Sequence, residues 1–196
     1  MTTKLGIIHT SATLVPVFQK LCADKLPGIA TFHISDDSLI KDVIERNELT
    51  AQTARRVVNH IGSAETAGAT HILVTCSSIG PAVEASVPLT GVPVLRVDQP
   101  MADKAVETGQ RIGVIATLPT TLNPTRDLVE RRAALKNKSV TINAHLCEGA
   151  FDALMSGNAE KHDNKVREGL KSLMHNVDVI VLAQASMARV AEQLPE

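Results

Sequence analysis

The chain has 196 residues, of which 44% are hydrophobic, and a formal charge of -1 at pH 7. This length and composition suit one large domain or two small lobes with a real core. The near balance of acidic and basic residues argues against a phosphate-binding face. With no Trp or Tyr and only three Phe, the chain also lacks stacking platforms for single-stranded nucleic acid. We therefore expect no nucleic-acid partner.

The start of the chain, Met1 to Lys4, leads into an apolar run too short for a signal peptide or a membrane span. We expect no membrane association and a cytoplasmic location. Three cysteines do not make a disulfide framework, and Cys/His ligand spacing, GxGxxG and P-loop motifs are missing from the sequence. The sequence thus predicts no metal and no cofactor. For Cys22 and Cys147 we expect buried, unreactive thiols.

Apolar runs alternate with helical patterns along the whole chain. The predicted strands are Leu5–His9, Ala30–Ile34, His71–Thr75, Val92–Val97, Arg111–Ala116, Val140–Ala144 and Val177–Ala183. The predicted helices are Ala12–Lys25, Asp37–Arg46, Thr50–Ala67, Gln99–Thr108, Leu122–Leu135, Gly149–Ser156, Ala159–His175 and Ala185–Gln193. Near-continuous apolar strands separated by helices indicate an α/β fold with parallel sheets covered on both faces.

The chain also resembles itself. The segment Leu5–Thr10 is similar to Ile112–Thr117, and the first precedes Cys76 by about as much as the second precedes Gln184. This repetition predicts two pseudo-symmetric, flavodoxin- or Rossmann-like lobes. The expected boundaries are 1–98 for the first lobe and 99–184 for the second, with a C-terminal helix of about 185–196 as a candidate to pack back on the first.

The strongest chemical signal is the segment from Ile72 to Gly80, an apolar run that ends in a thiol, two hydroxyls and a glycine. Catalytic groups in α/β sheets gather at the carboxyl ends of strands. The backbone N–H groups of Ser77 and Ser78 would stabilise a Cys76 thiolate, or bind a substrate carboxylate, if they begin the next helix. The alternative is that Cys76 only packs beneath that turn.

Other polar residues are expected at the same edges. His9 ends the first strand, and a Cys–His pair with Cys76 would activate the thiol, whereas a structural, hydrogen-bonded histidine is the alternative. Asp37 is a further candidate base or simply a helix cap. Candidate substrate-binding residues are Thr10, Ser11, Ser77, Ser78, Thr117, Thr121, Gln184, Ala185 and Ser186.

These residues together resemble the aspartate/glutamate/hydantoin racemase superfamily over nearly the whole chain. Thr75-Cys76-Ser77-Ser78 matches the family's first cysteine turn, and the segment from Ala183 to Ala188 is similar to its second. The run from Asp37 to Ile40 and the loop from Ile115 to Thr121 also have counterparts. The resemblance implies two α/β lobes with an active-site cleft between them.

In two-cysteine members, the resemblance implies proton transfer without a cofactor or metal, one thiolate removing a proton and the opposite thiol returning one. Here Gln184 stands where the second cysteine is expected, and an amide does not exchange protons usefully near neutral pH. Two-thiol racemisation is therefore not expected. Decarboxylase relatives keep a single cysteine in the second turn, and maleate-isomerase-like relatives use a first-turn nucleophile but retain a second cysteine.

The sequence therefore predicts a cofactor-independent carbon-acid enzyme, with Cys76 as its single acid/base or nucleophile. Its substrate would be a small carboxylate or carbonyl compound, and isomerisation, epimerisation and decarboxylation or C–C cleavage all remain open. His9 or Asp37 would supply a second base if one is needed. The alternative is a small-acid binding or regulatory protein that kept the fold and lost the chemistry. A homo-oligomer is possible.

Overall fold

The first unit of the chain is built on a four-stranded parallel sheet. In the computed structural model, which describes residues 2–194, its strands lie in the order β2-β1-β3-β4. The strands are β1 (Lys4–His9), β2 (Ala30–Ser35), β3 (His71–Val74) and β4 (Val94–Arg96). The helices are α1 (Leu14–Lys25), α2 (Ser38–Arg46), α3 (Ala51–Thr66) and α4 (Gly80–Ser86), with 3-10 turns at Ser77–Ile79 and Val87–Leu89.

The second unit repeats this plan on a three-stranded parallel sheet of order β6-β5-β7. The strands are β5 (Arg111–Ala116), β6 (Thr141–Leu146) and β7 (Val179–Leu182). The helices are α5 (Gln99–Thr108), α6 (Pro119–Leu135), α7 (Ala150–Met155), α8 (Ala159–Met174) and α9 (Ala188–Ala191), with a 3-10 turn at Ala185–Met187. The predicted α/β class with two parallel sheets is confirmed.

The chain divides into two compact units, Met1–Val97 and Asp98–Glu196. The predicted boundary after residue 98 lies one residue from this division. The segment 185–196 was a candidate to pack on the first lobe, and the apolar contacts of its described part lie within the second unit. There Met187 and Val190 pack with Ile115, while Pro195 and Glu196 lie outside the described residues.

Each unit has its own apolar core because β-branched strand residues meet one face of each helix. In the first unit, Val57 and Ile61 of α3 stand one turn apart and pack on Ile8 and Val74 of the sheet. In the second unit, clusters lie on both faces of the sheet, and the strands β5 and β7 are apolar at nearly every position, whereas the edge strand β6 alternates polar and apolar residues. This double coverage explains the near-continuous apolar runs in the sequence.

Two predicted boundaries need correction. The chain after Cys76 forms a 3-10 turn and then the short helix α4, which the predicted element series omitted. Helix α6 begins at Pro119 rather than Leu122, since proline is well suited to a first helical position, where it has no N–H to lose. Thr120 and Thr121 therefore lie in the first turn of a helix instead of in a loop.

Candidate active site

Cys76 lies two residues after the end of β3, at the carboxyl end of the first sheet. Its backbone is extended, with φ -132° and ψ 120°, and the 3-10 turn Ser77–Ile79 follows it. Its side chain is partly buried against the core cluster that contains Ile8 and Val74. The expected N–H donors of Ser77 and Ser78 thus belong to a 3-10 turn and not to the first turn of an α-helix. Cys76 is a free thiol and is only half-buried, whereas Cys22 and Cys147 are buried as predicted.

His9 is fully buried and makes its hydrogen bonds away from Cys76. Its Nδ1 lies 3.0 Å from Thr75 Oγ1, and its Nε2 lies 2.9 Å from His33 Nδ1. Its ring also packs 5.3 Å from that of Phe18 in α1, between centroids. Burial, together with the neighbouring His33 ring, lowers the pKa of His9 to about 4. His9 is therefore a neutral residue that holds Thr75, and both of its ring nitrogens face partners other than Cys76.

The alternation of side chains along a strand explains this result. Successive residues point to opposite faces of a sheet, so Val74 and Cys76 share one face, while Thr75 points to the other. His9 lies on the Thr75 side and Ile8 on the Cys76 side, as their contacts show. The interpretation of His9 as a hydrogen-bonded structural residue, one of the two alternatives from the sequence, is the one the geometry supports.

Asp37 is exposed, and its carboxylate is paired with Lys41 at 2.6 Å on the surface of α2. The hydrogen bond and charge of Lys41 hold the pKa of Asp37 below its usual range, which weakens it as a base. The neighbouring Asp36 has more hydrogen-bond partners than Asp37, because its carboxylate accepts hydrogen bonds from Ser38, Arg56 and His60. Burial opposes ionisation of Asp36, but these three donors outweigh it and leave its pKa well below the ordinary value.

The hydroxyls after β1 divide into a buried and an accessible group. Thr10 is buried, whereas Ser11 is partly exposed and its Oγ lies 2.7 Å from Thr13 Oγ1. Thr13 occupies the cap position of α1 without a side-chain capping bond. Ser78 is buried and Ser77 partly so.

Gln184 repeats the backbone of Cys76 in the second unit. It follows β7 in an extended conformation, with φ -139° and ψ 139°, and the 3-10 turn Ala185–Met187 comes next. Its Oε1 accepts two hydrogen bonds from one residue: the Thr117 N–H at 2.7 Å and the Thr117 hydroxyl at 3.1 Å. Ala185 is exposed and Ser186 is partly buried. The amide side chain is thus fastened to the end of β5.

Three buried threonines lie at or just before the start of α6: Thr117, Thr120 and Thr121. Thr117 directly follows β5, and Thr120 and Thr121 occupy the second and third positions of the helix. The Thr120 hydroxyl has no hydrogen-bond partner within residues 2–194. The sequence prediction that hydroxyls gather at the carboxyl end of this sheet agrees with their positions.

A family model for Asp/Glu/hydantoin racemases matches residues 5–196. The chain belongs to the Asp/Glu/hydantoin racemase family. No curated protein matches it. Among solved structures, a glutamate racemase from Bacillus anthracis is 16% identical with a TM-score of 0.68, over 97% of this chain and 71% of that one. An allantoin racemase from Klebsiella pneumoniae is 20% identical with a TM-score of 0.66, over 98% and 78%.

An aspartate racemase from Picrophilus torridus is 12% identical with a TM-score of 0.67, over 96% of this chain and 83% of that one. At these identities the likeness of the racemase structures shows a shared fold. Within residues 2–194, no helix is long and apolar enough to cross a membrane, and no three His, Cys, Asp or Glu side chains are grouped as a metal site.

Arg96 is a buried residue that contacts the helix after the Cys76 turn. This role was not identified from the sequence. Arg96 ends β4, opposite Val74, and its side chain is only 3% exposed. Its Nη1 is paired with Glu84 Oε1 at 2.6 Å, and its guanidinium lies against the Cα of Gly80, where any Cβ would overlap it. Because Gly80 begins α4, Arg96 connects β4 to the helix that follows the Cys76 turn. The available signal was an arginine at the end of an apolar strand, which needs buried partners.

The two turns of this racemase-family chain differ in the chemistry they can perform. A half-buried thiol such as Cys76 can accept and return a proton or attack an electrophilic carbon. Gln184 can only donate and accept hydrogen bonds, and its oxygen is already engaged with Thr117. Of these two side chains, only the thiol has the chemistry to exchange a proton.

Proposed function

We propose that this protein is a cofactor-independent enzyme that moves a proton at a carbon next to a carboxyl or carbonyl group, with Cys76 as its single acid/base. Membership of the racemase family supports a racemase- or isomerase-like activity. The observation that carries the proposal is the position of Cys76, a half-buried thiol at the end of a central strand, beside the hydroxyls of Ser77 and Ser78.

In this mechanism the Cys76 thiolate removes the proton from the substrate carbon. The C–H bond breaks, an S–H bond forms, and the electron pair moves onto the substrate's carboxyl or carbonyl oxygen. Hydroxyl and amide groups would stabilise that negative charge, and Ser77, Ser78, Thr10 and Ser11 are the candidates in the first unit. The thiol exchanges its proton with solvent and then returns a proton to the carbon, so that the carbon exchanges its hydrogen.

A single thiol also suits decarboxylation of a substituted malonate. There the C–C bond breaks, CO2 leaves with the electron pair staying on carbon, and the Cys76 S–H supplies the proton that replaces it. Only one proton donor is needed, and one is present. In both reactions Gln184 cannot take the part of a second thiol, because its amide does not exchange protons usefully near neutral pH.

The test is incubation of candidate acids in D2O. The panel contains both enantiomers of aspartate, glutamate, allantoin and a substituted hydantoin, together with 2-substituted malonates, with deuterium uptake followed by NMR and CO2 release measured separately. We expect at least one member to react with the wild type and not with Cys76→Ala. Cys22→Ala is the matched control, since Cys22 is a buried thiol on α1, and it should react like the wild type. Ligands that stabilise the fold without any turnover would favour a binding protein and contradict the enzyme.

A further inference from the structure

The contact between Gln184 and Thr117 has the form of a bound ligand. One carbonyl oxygen receives two hydrogen bonds, from the main-chain N–H and the side-chain hydroxyl of a residue that is only 4% exposed. This is how one oxygen of a carboxylate is held in proteins, and an ionised acceptor makes such bonds stronger. The Gln184 amide is neutral, so it is a weaker hydrogen-bond acceptor at this position than a carboxylate would be.

The surroundings favour an anion at the same point. Helix α6 begins at Pro119, two residues after Thr117, and its 17 residues direct the positive end of the helix dipole toward this region. In its first turn, Thr120 is only 8% exposed and its hydroxyl has no hydrogen-bond partner within residues 2–194. A buried hydroxyl without a partner is costly unless something completes it. The amide oxygen of Gln184 uses the two donors of Thr117 and leaves the Thr120 hydroxyl unused.

We propose that the Gln184 side chain is a built-in occupant of an anion site formed by the Thr117 N–H, the Thr117 hydroxyl and the first turn of α6. While the amide is in place, the second unit presents no open carboxylate site here. When it is removed, the same donors bind a small carboxylate such as acetate. Gln184 is thereby a specificity-determining residue. The proposal rests on the proposed function only in taking this strand end as part of the substrate site.

The test is an acetate titration of single variants, with chloride as the ionic-strength control. Gln184→Ala removes the occupant, and Gln184→Asn keeps an amide that is one methylene too short to reach Thr117. Gln184→Glu keeps the length and supplies its own carboxylate. Binding is read from the 15N–1H shift of the Thr117 amide and from the melting temperature.

We expect acetate to bind Gln184→Ala and Gln184→Asn at least about tenfold more tightly than the wild type or Gln184→Glu, a difference of about 1.4 kcal/mol. Adding Thr117→Val to Gln184→Ala should remove most of that gain. Equal affinity in all four proteins would overturn the proposal, as would a gain that survives Thr117→Val. Neither outcome depends on turnover, because Cys76-dependent deuterium uptake is measured separately in the wild type.

Discussion

The strand pairs β1–β3 and β5–β7 end with the same backbone hydrogen bond but carry different side chains. In the first unit the Thr75 N–H donates to the Ile8 carbonyl at 3.0 Å, and in the second the Ala183 N–H donates to the Ile115 carbonyl at the same distance. Thr75 is therefore the counterpart of Ala183, and His9 that of Ala116. The first unit places a polar His9–Thr75 pair next to a thiol, while the second places two buried alanines next to an amide.

Under the proposed function, this difference would let a duplicated fold keep its proton-transfer chemistry in one half only. The first unit uses the buried His9–Thr75 pair to hold the strand end that carries Cys76, and a proton-transfer group needs accurate placement. The second unit fastens Gln184 through its own side chain to Thr117, and the positions beneath it need only pack. Removing each part of this asymmetry should therefore have its own measurable effect.

The largest effect is expected at the thiol itself. Cys76→Ala should lower deuterium exchange by roughly 100- to 10,000-fold, the usual contribution of one acid/base group. Exchange is measured with the reactive member of the substrate panel. Cys147→Ala is a second control, because burial raises the pKa of Cys147 to about 11 and keeps that thiol protonated. A loss below about tenfold in Cys76→Ala would place the proton transfer on another group.

The next effect is the pH dependence of stability that the buried His9 causes. Folded His9 has its pKa lowered to about 4, whereas unfolded histidine titrates near 6.5, so the unfolded chain binds the extra proton first. The stability that neutral His9 provides is complete above about pH 6.5 and is lost as the pH falls toward 4, by up to about 3 kcal/mol. Urea unfolding at pH 7 and pH 5 measures this loss.

Replacing His9 by Gln should flatten that pH dependence, while His71→Gln, at an exposed histidine of β3, should leave it unchanged. The second unit has Ala116 at the equivalent position, so the effect belongs to the first unit. Equal slopes in the wild type and His9→Gln would show that another group controls this range of pH.

A smaller effect is expected where Arg96 lies against Gly80. Gly80→Ala forces the guanidinium or the start of α4 to move, which should cost about 1 to 3 kcal/mol, as overpacking of buried sites does. Gly62→Ala in α3 is the matched control, since a Cβ there meets nothing within 4 Å and alanine favours a helix by up to about 1 kcal/mol. Chemical denaturation measures both, and equal stabilities would contradict the described contact.

The smallest effect is expected at Asp37. Its ion pair with Lys41 is exposed, and surface ion pairs contribute little, so Asp37→Asn should change the exchange rate by less than about twofold. The side chain is 61% exposed, which is unsuited to a base that removes a carbon-bound proton. A strong loss of exchange in Asp37→Asn would restore the sequence-based prediction that it is the second base.

Much of the fold could be predicted because the signals were local and repeated. The apolar runs predicted all seven strands of the described chain, and the bounds of β1, β2, β3 and β5 were correct to within one residue. The short helix α4 was missed, since seven residues with Gly80 and Pro81 at the start carry no clear helical period. The start of α6 was placed late, although Pro119 is a favourable first helical residue.

The candidate site was less predictable because it depends on which face each residue points to. Cys76, Gln184 and the threonines could be placed at strand ends from their order alone. That His9 contacts Thr75 instead of Cys76 follows from the register of β1 and β3, which the sequence does not show. The hydrogen bonds of Gln184 to Thr117 join residues 67 positions apart, and no local pattern encodes them.

The measurement that tests the single-thiol account most directly compares deuterium uptake with racemisation in the wild type, for one pure enantiomer of the reactive substrate. One proton-transfer group should exchange the hydrogen and retain configuration, so uptake should exceed racemisation by at least about tenfold. Equal rates of uptake and racemisation in the wild type would contradict the account, because a second acid/base group would then already be present.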